Sequence, residues 1–175
     1  MTQEDFLNRY NQSRTIKEAL SKSISAAVQH NKLYNNLSNK ERERVRDFWS
    51  VSLLKLSCRY VKEIWNEHQY EDEIIKLKNI MNDNFVRLID FRISHSQKSI
   101  SIFFKHMWCL GDLPIPPQCP VDRIILTRAN APYNERKWGF VNDIETHRKR
   151  YNILRLASIK DGFDNVSIWE LENFQ

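Results

Sequence analysis

Residues 94–128 read SHSQKSISIFFKHMWCLGDLPIPPQCPVDRIILTR and combine apolar bulk, two lysines, a proline-rich turn and a charged dipeptide. Ser94 and Gln97 have the spacing of a capping box, which predicts that a helix begins here. Apolar residues then recur with the period of a helix face that packs on a core. They are Ile100, Phe103, Phe104, Met107 and Trp108. Gly111, a residue type that commonly ends helices, completes the prediction of a central amphipathic helix.

Four prolines within seven residues follow this helix, from Pro114 to Pro120. The chain cannot be helical there, because each proline fixes its φ angle and lacks a backbone N–H. Pro120 is suited to the first position of a second helix, whose apolar face follows it. That face consists of Val121, Ile124, Ile125 and Leu126. We therefore expect two helices joined by a rigid elbow, residues 114–120, which brings Lys105 towards Asp122.

The remaining residues predict further helices. Capping-box spacing marks five helix starts. The pairs are Thr2 with Asp5, Thr15 with Glu18, Ser38 with Glu41, Asn142 with Glu145, and Ser167 with Glu170. The helix after Ser38 should run to about residue 67, a shorter one should span residues 70–81, and the apolar cluster 85–91 is assigned to a helix rather than a short strand. About seven helices and no convincing sheet predict a single all-α domain over residues 1–175.

Length and composition are consistent with a single domain. The chain has 175 residues, of which 41% are hydrophobic, enough for one domain with a core. Its first twelve residues, MTQEDFLNRYNQ, lack the apolar segment of a signal peptide, and no window approaches the roughly 18 apolar residues of a membrane helix. Three cysteines are an odd number, which favours reduced thiols over a disulfide framework. We therefore expect a cytoplasmic protein that does not bind membranes.

The formal net charge is +5. An equal excess of positive charge lies between residues 123 and 155, a segment that contains eight Lys or Arg residues and three acidic residues. Such a cluster suits a phosphate backbone, although a solvated helix face is an equally good interpretation. The candidate DNA contacts are Arg123, Arg128, Arg148, Lys149 and Arg150.

Most familiar catalytic and cofactor motifs are missing from the sequence. Three glycines in the whole chain exclude most phosphate-cradling loops. His106, Cys109 and Cys119 have a spacing of the metal-binding kind but are one ligand short of a closed zinc site. We therefore expect neither a metal nor another cofactor, and Cys109 is better explained as a small buried residue.

One short motif resembles a known family. Lys105, with Cys109 four residues later and Pro120-Val121-Asp122 after a turn, is similar to the lysine, cysteine and P-V-D run of the helix-hairpin-helix DNA glycosylases. The resemblance covers about thirty residues. Residues 101–104 stand where that family has a glycine-containing hairpin. A second register places residues 93–98 on the hairpin, again without glycines, and makes Lys98 the equivalent lysine.

The resemblance implies a glycosylase-like helical architecture, DNA as the partner and a base-excision or lyase reaction. In that family the lysine attacks the anomeric carbon of the sugar and the aspartate helps to expel the base. Lys105 or Lys98 would take the first role here, and Asp122 the second. The alternative is a non-catalytic helical interaction protein, in which Asp122 caps a helix and Lys105 extends to solvent. An enzyme requires a cleft with a lysine beside Asp122, whereas an interaction module would have a filled interior and a flat apolar patch.

Overall fold

The computed structural model describes residues 1–29 and 31–174. Within them the chain forms eight α-helices, with two short 3-10 helices, Tyr133–Arg136 and Trp138–Phe140, before the seventh. The α-helices are α1 (Gln3–Tyr10), α2 (Ile16–Val28), α3 (Asn39–Lys62), α4 (Glu67–Asn84), α5 (Ile93–Leu110), α6 (Arg123–Arg128), α7 (Ile144–Lys160) and α8 (Val166–Asn173). The all-α prediction is confirmed. None of these helices is long and apolar enough to cross a membrane.

Helix α5 lies at the centre, and 15 of its 18 residues are buried. It packs most extensively against α2, with α4, α1 and α3 on its other sides. A helix enclosed on all sides needs partners for its polar side chains. The hydroxyl of Ser96 donates to the carbonyl of Ile74 at 2.6 Å, and the hydroxyl of Ser99 accepts from the Trp49 indole N–H at 3.1 Å. The sequence predicted one buried face, whereas α5 is buried almost all round.

The elbow runs in irregular conformation between α5 and α6, as its prolines predict. Side chains from three other helices bind its carbonyl oxygens. Tyr60 Oη donates to Ile115 O at 2.6 Å, Ser167 Oγ to Pro116 O at 2.9 Å, and Tyr151 Oη to Pro117 O at 2.9 Å. Because these hydrogen bonds satisfy carbonyls that would otherwise be buried without partners, the elbow is held in one position relative to α5.

Several helix starts agree with the capping prediction and others do not. The N-caps of α1, α2 and α3 are Thr2, Thr15 and Ser38, as predicted. Helix α7 begins one residue later, after the N-cap Asp143, and α8 begins earlier, after Asn165. In both cases a neighbouring Asp or Asn supplies the oxygen that accepts hydrogen bonds from the first free N–H groups of the helix. Residue spacing alone does not show which of the neighbouring capping residues takes this role.

The central stretch contains two corrections at helix starts. Helix α5 begins at Ile93, so Ser94 is not its cap, and the ring Nδ1 of His95 accepts the N–H of Arg92 at 3.0 Å. Helix α6 begins at Arg123 with Asp122 as N-cap, three residues after the predicted start at Pro120. The residues freed from capping are Ser94 and Gln97, which reach other segments instead.

The boundaries around α4 also differ from prediction. Helix α3 ends at Lys62 rather than near residue 67, and α4 extends to both sides of the predicted 70–81. Residues 85–91 are a turn followed by extended chain, not a helix, and Ile89 forms an isolated antiparallel bridge with Tyr34. The Asn82 side chain binds both N–H and C=O of Phe91, which replaces the helical hydrogen bonds there.

Aromatic residues of α3 and α5 lie in two separate hydrophobic clusters. Trp49 and Phe103 belong to the large cluster between α2, α3, α4 and α5, and both have no exposed surface. Trp108, predicted to join them, is half-buried and packs instead on a small cluster that contains Phe6 and Leu171. The end of α5 is therefore covered by α1 and α8, the first and last helices of the chain.

Candidate functional site

A cavity of about 870 Å³ lies along one face of α5. Lys98, Ile102 and Lys105 line it from α5, at the i, i+4 and i+7 spacing that puts residues on one side of a helix. Helices α1 and α2, the start of α6, the 3-10 helix at Trp138 and the end of α8 supply the other walls. A volume of this size is within the range of natural small-molecule sites, so the cavity can accept a group as large as a nucleoside.

At one end of the cavity, the Lys98 ammonium donates a short hydrogen bond to Asp122 Oδ2. The two side chains are 7% and 10% exposed, so the ion pair is nearly withdrawn from solvent. The Lys98 ammonium also lies 5.0 Å from the centre of the Trp138 ring, which covers it as a cation–π partner. Of the two candidate lysines, Lys98 is therefore the one in contact with Asp122.

The position of Asp122 is set by two local features. As N-cap of α6, its Oδ1 accepts the N–H of Ile125 at 3.0 Å, which leaves Oδ2 for Lys98. The preceding residue, Val121, is held by the side-chain amide of Gln97, which donates to its carbonyl at 2.9 Å and accepts its N–H at 3.2 Å. Gln97 and Lys98 are neighbours on α5, so one helix turn carries both the lysine and the group that positions its carboxylate.

The electrostatics favour a charged carboxylate at Asp122. Burial alone would raise its pKa, but the Lys98 ammonium and the backbone N–H groups of Ile125 and Ile124 outweigh burial and lower the pKa below its usual value. Asp122 is therefore ionised at neutral pH. A carboxylate in this state can stabilise positive charge that develops on a bound sugar.

A second buried ion pair lines the same cavity. The Lys105 ammonium donates to Glu170 Oε2 at 2.7 Å, with side chains 4% and 2% exposed. The same ammonium lies 4.6 Å from the Phe6 ring centre and 4.4 Å from that of Phe174. The sequence predicted that the elbow brings Lys105 towards Asp122, but in the structure Lys105 pairs with Glu170 instead. Lys105 also does not extend to solvent, as the alternative interpretation expected.

Glu170 is the residue that sequence reasoning missed. Its spacing from Ser167 predicted that it caps the start of a helix. A signal was nevertheless present, because Glu170 directly follows the core residue Trp169 and precedes the buried Leu171. Burial raises the pKa of Glu170, and the Lys105 ammonium offsets this only in part.

The predicted DNA contacts divide into two groups. Arg148 pairs with Glu71 and Glu145, while Lys149 and the buried Arg150 both pair with Glu135. These three side chains are held in intramolecular ion pairs. Arg123 is exposed and lines the mouth of the cavity, and Arg128 lies exposed at the end of α6. The exposed Lys22 of α2 faces the same cavity.

The buried thiols of Cys109 and Cys119 offer little reactive chemistry. Burial raises the pKa of Cys109 to about 12 and that of Cys119 well above its usual value, so both are protonated thiols at neutral pH. Within the described ranges, no group of three or more His, Cys, Asp or Glu side chains is placed to hold a metal ion. The two lysine–carboxylate pairs are thus the charged groups around which the cavity is built.

Comparison of the chain with models of protein families, with curated proteins and with solved structures found no match.

Proposed function

We propose that the protein binds damaged DNA and acts on the sugar of an abasic or modified nucleotide, with Lys98 as the nucleophile and Asp122 as its carboxylate partner. The observation that carries this proposal is the buried Lys98–Asp122 ion pair on the wall of an 870 Å³ cavity. An interaction module would not need a buried charged pair on the wall of a cavity. A lysine nucleophile that forms an iminium gains from a fixed carboxylate in contact with it, because the carboxylate stabilises the cation.

The charges around the cavity suit a nucleic acid. Four basic side chains line it against two acidic ones, and the two exposed basic residues, Lys22 and Arg123, are those not engaged in the buried pairs. A net positive entrance attracts the phosphates that flank a nucleotide, while the interior accepts the extruded sugar and base. DNA binding through this entrance would not require the intramolecularly paired basic residues of α7.

The chemistry starts with a proton transfer. The Lys98 ammonium gives up a proton to solvent water, and the free amine attacks the C1′ aldehyde of the ring-opened abasic sugar while Asp122 stays ionised beside it. The carbonyl oxygen takes up two protons, one from the attacking nitrogen and one from solvent, and leaves as water, so C1′ becomes an iminium carbon bonded to Nζ, whose positive charge the Asp122 carboxylate stabilises. The iminium makes the C2′ hydrogen acidic. A water molecule removes it as a proton, the electrons of that C–H bond form the C2′=C3′ double bond, and the 3′-phosphate leaves with the electrons of the C3′–O bond.

Reduction with borohydride tests the proposal because it converts the iminium into a stable amine that links protein and DNA. Duplexes containing one abasic site should yield a covalent complex with the wild-type protein, and Lys98→Gln should abolish it. Asp122→Asn should slow its formation at least about tenfold, because the negative charge that stabilises the iminium is removed. Lys40→Gln, at an exposed lysine on α3, serves as the matched control and should trap like the wild type.

Abasic sites react with many exposed amines, so the comparison of lysine variants decides the outcome. Trapping that survives Lys98→Gln and disappears in Lys105→Gln would assign the reaction to the other lysine. Trapping that survives both substitutions would count as background. If no complex depends on either lysine, the lyase reaction is wrong and the non-catalytic alternative replaces it.

A further inference from the structure

The cavity continues beyond Lys98 and Asp122. Lys105 is seven residues after Lys98 on α5, and seven residues of helix correspond to about 10 Å along its axis. The Lys105–Glu170 pair lines the same cavity. The chemistry proposed for Lys98 uses only the sugar and Asp122, so this second pair has no role in it.

The second pair is unusual for an ion pair that serves only stability. Taking both charges out of water costs more than apolar residues of similar volume would, so a buried pair is a weak source of folding energy. Among the described residues, the pair is joined by one hydrogen bond, from Lys105 Nζ to Glu170 Oε2. The ammonium has three donors and the carboxylate a second oxygen, so both retain hydrogen-bonding capacity for a ligand.

The surroundings of the pair suit a planar, heteroaromatic ligand. Ile102 and Ala26 supply apolar wall to the same cavity, and Tyr10 adds an aromatic ring with a polar end. His106 also lines the cavity, next to the Phe6 ring that covers the Lys105 ammonium, and its Nδ1 is buried without a hydrogen-bond partner in the described part of the chain. Burial lowers the His106 pKa to about 4, so the ring is neutral at pH 7 and offers one donor and one acceptor.

We propose that Lys105 and Glu170 form a binding subsite for an unpaired nucleobase, with the ammonium donating to a ring nitrogen or carbonyl oxygen and the carboxylate accepting from a neighbouring N–H. This subsite deepens the proposed function and rests on it for its biological setting. The side-by-side donor and acceptor of the pair match the edge of a nucleobase, where an acceptor stands next to a donor. A 2-deoxyribose without a base lacks that edge and does not engage the pair.

The test uses the free protein and isolated 2′-deoxynucleosides, so it needs neither DNA binding nor catalysis. Deoxyuridine, deoxyinosine and deoxyguanosine are titrated by ligand-observed NMR, with 2-deoxyribose as the baseless reference. We expect at least one deoxynucleoside to bind about tenfold more tightly than deoxyribose, the effect of a hydrogen bond to a charged group. The double variant Lys105→Met/Glu170→Gln should lose that advantage without leaving a buried charge unpaired.

A matched control variant and a second measurement keep the test decisive if the double variant is unstable. Lys40→Met/Glu43→Gln removes one charge of each sign from the exposed surface of α3 and should bind like the wild type. If the Lys105/Glu170 double variant fails to fold, the ring resonances of His106 in the wild-type protein provide the readout, and a bound deoxynucleoside should shift them.

The two proposals fail in different ways. The subsite is wrong if no deoxynucleoside binds better than deoxyribose, or if the Lys105/Glu170 double variant binds deoxynucleosides as the wild type does. Binding of deoxynucleosides without Lys98-dependent trapping would support the subsite and remove the lyase reaction. Trapping on Lys98 without any deoxynucleoside binding would keep the reaction and remove the subsite.

Discussion

The buried pair of Lys98 and Asp122 predicts a large coupling between the two side chains. Asp122→Asn keeps an oxygen that can cap α6 but removes the charge, so the Lys98 ammonium is left buried without a counter-charge. Lys98→Met leaves the carboxylate in the same condition. Removing one partner of a buried pair costs about 3–5 kcal/mol, and we expect about 2–4 kcal/mol because the pair borders a cavity that admits water.

The double variant, Lys98→Met/Asp122→Asn, carries neither charge and should recover most of this loss, to within about 1–2 kcal/mol of the wild type. Urea denaturation followed by circular dichroism at pH 7 gives the free energy of unfolding of all four proteins, provided that they share one m value. The double-mutant cycle then yields the coupling energy directly. Single substitutions that each cost less than about 1 kcal/mol, and whose costs add in the double variant, would show that the pair is solvated. That result would refute the claim that the Lys98–Asp122 pair is buried.

Three further predictions concern the core, pH and DNA. Trp49→Ala should lower the free energy of unfolding by about 3–5 kcal/mol and the half-buried Trp108→Ala by clearly less, and equal denaturation midpoints would contradict the divided core. Burial lowers the His147 pKa to about 4 from 6.5, so the unfolded chain binds the extra proton and stability falls as pH drops through that window. His147→Gln should remove about one proton from the uptake on unfolding near pH 5, and unchanged uptake would mean that the ring is already charged in the folded protein. Lys22→Gln/Arg123→Gln should reduce the slope of log affinity for duplex DNA against log salt by about two, whereas an unchanged slope would place the phosphates elsewhere.

The sequence was sufficient for the fold class and for much of α5. The apolar period from Ile100 to Met107 and the stop at Gly111, whose φ is +84°, both agree with the structure. The start of α5 was mispredicted, because the cap comes from the imidazole of His95, a residue type that capping rules do not include. The serines of α5 are buried although they are polar, because their hydroxyls bind neighbouring helices.

Asp122 emerged from the sequence as a candidate site residue, but the sequence left its partner open between Lys98 and Lys105. Lys98 and Lys105 are seven residues apart, so they share one face of α5, and periodicity gives both the same direction. The choice between them depends on which element crosses α5 at each turn. Asp122 meets Lys98 because Gln97 binds Val121, and α8 brings Glu170 to Lys105. These are contacts between residues 24 and 65 positions apart in the sequence, beyond the reach of local patterns.

The identity of the modified lysine tests the central claim most directly. The complex trapped with borohydride on abasic DNA is digested with nuclease and protease, and mass spectrometry locates the reduced sugar adduct on the peptide chain. A nucleophile at Lys98 predicts one dominant adduct on that residue, absent when the DNA carries no abasic site. An adduct on Lys105, adducts scattered over exposed lysines, or none at all would contradict the assignment of Lys98 and Asp122 as the reactive pair.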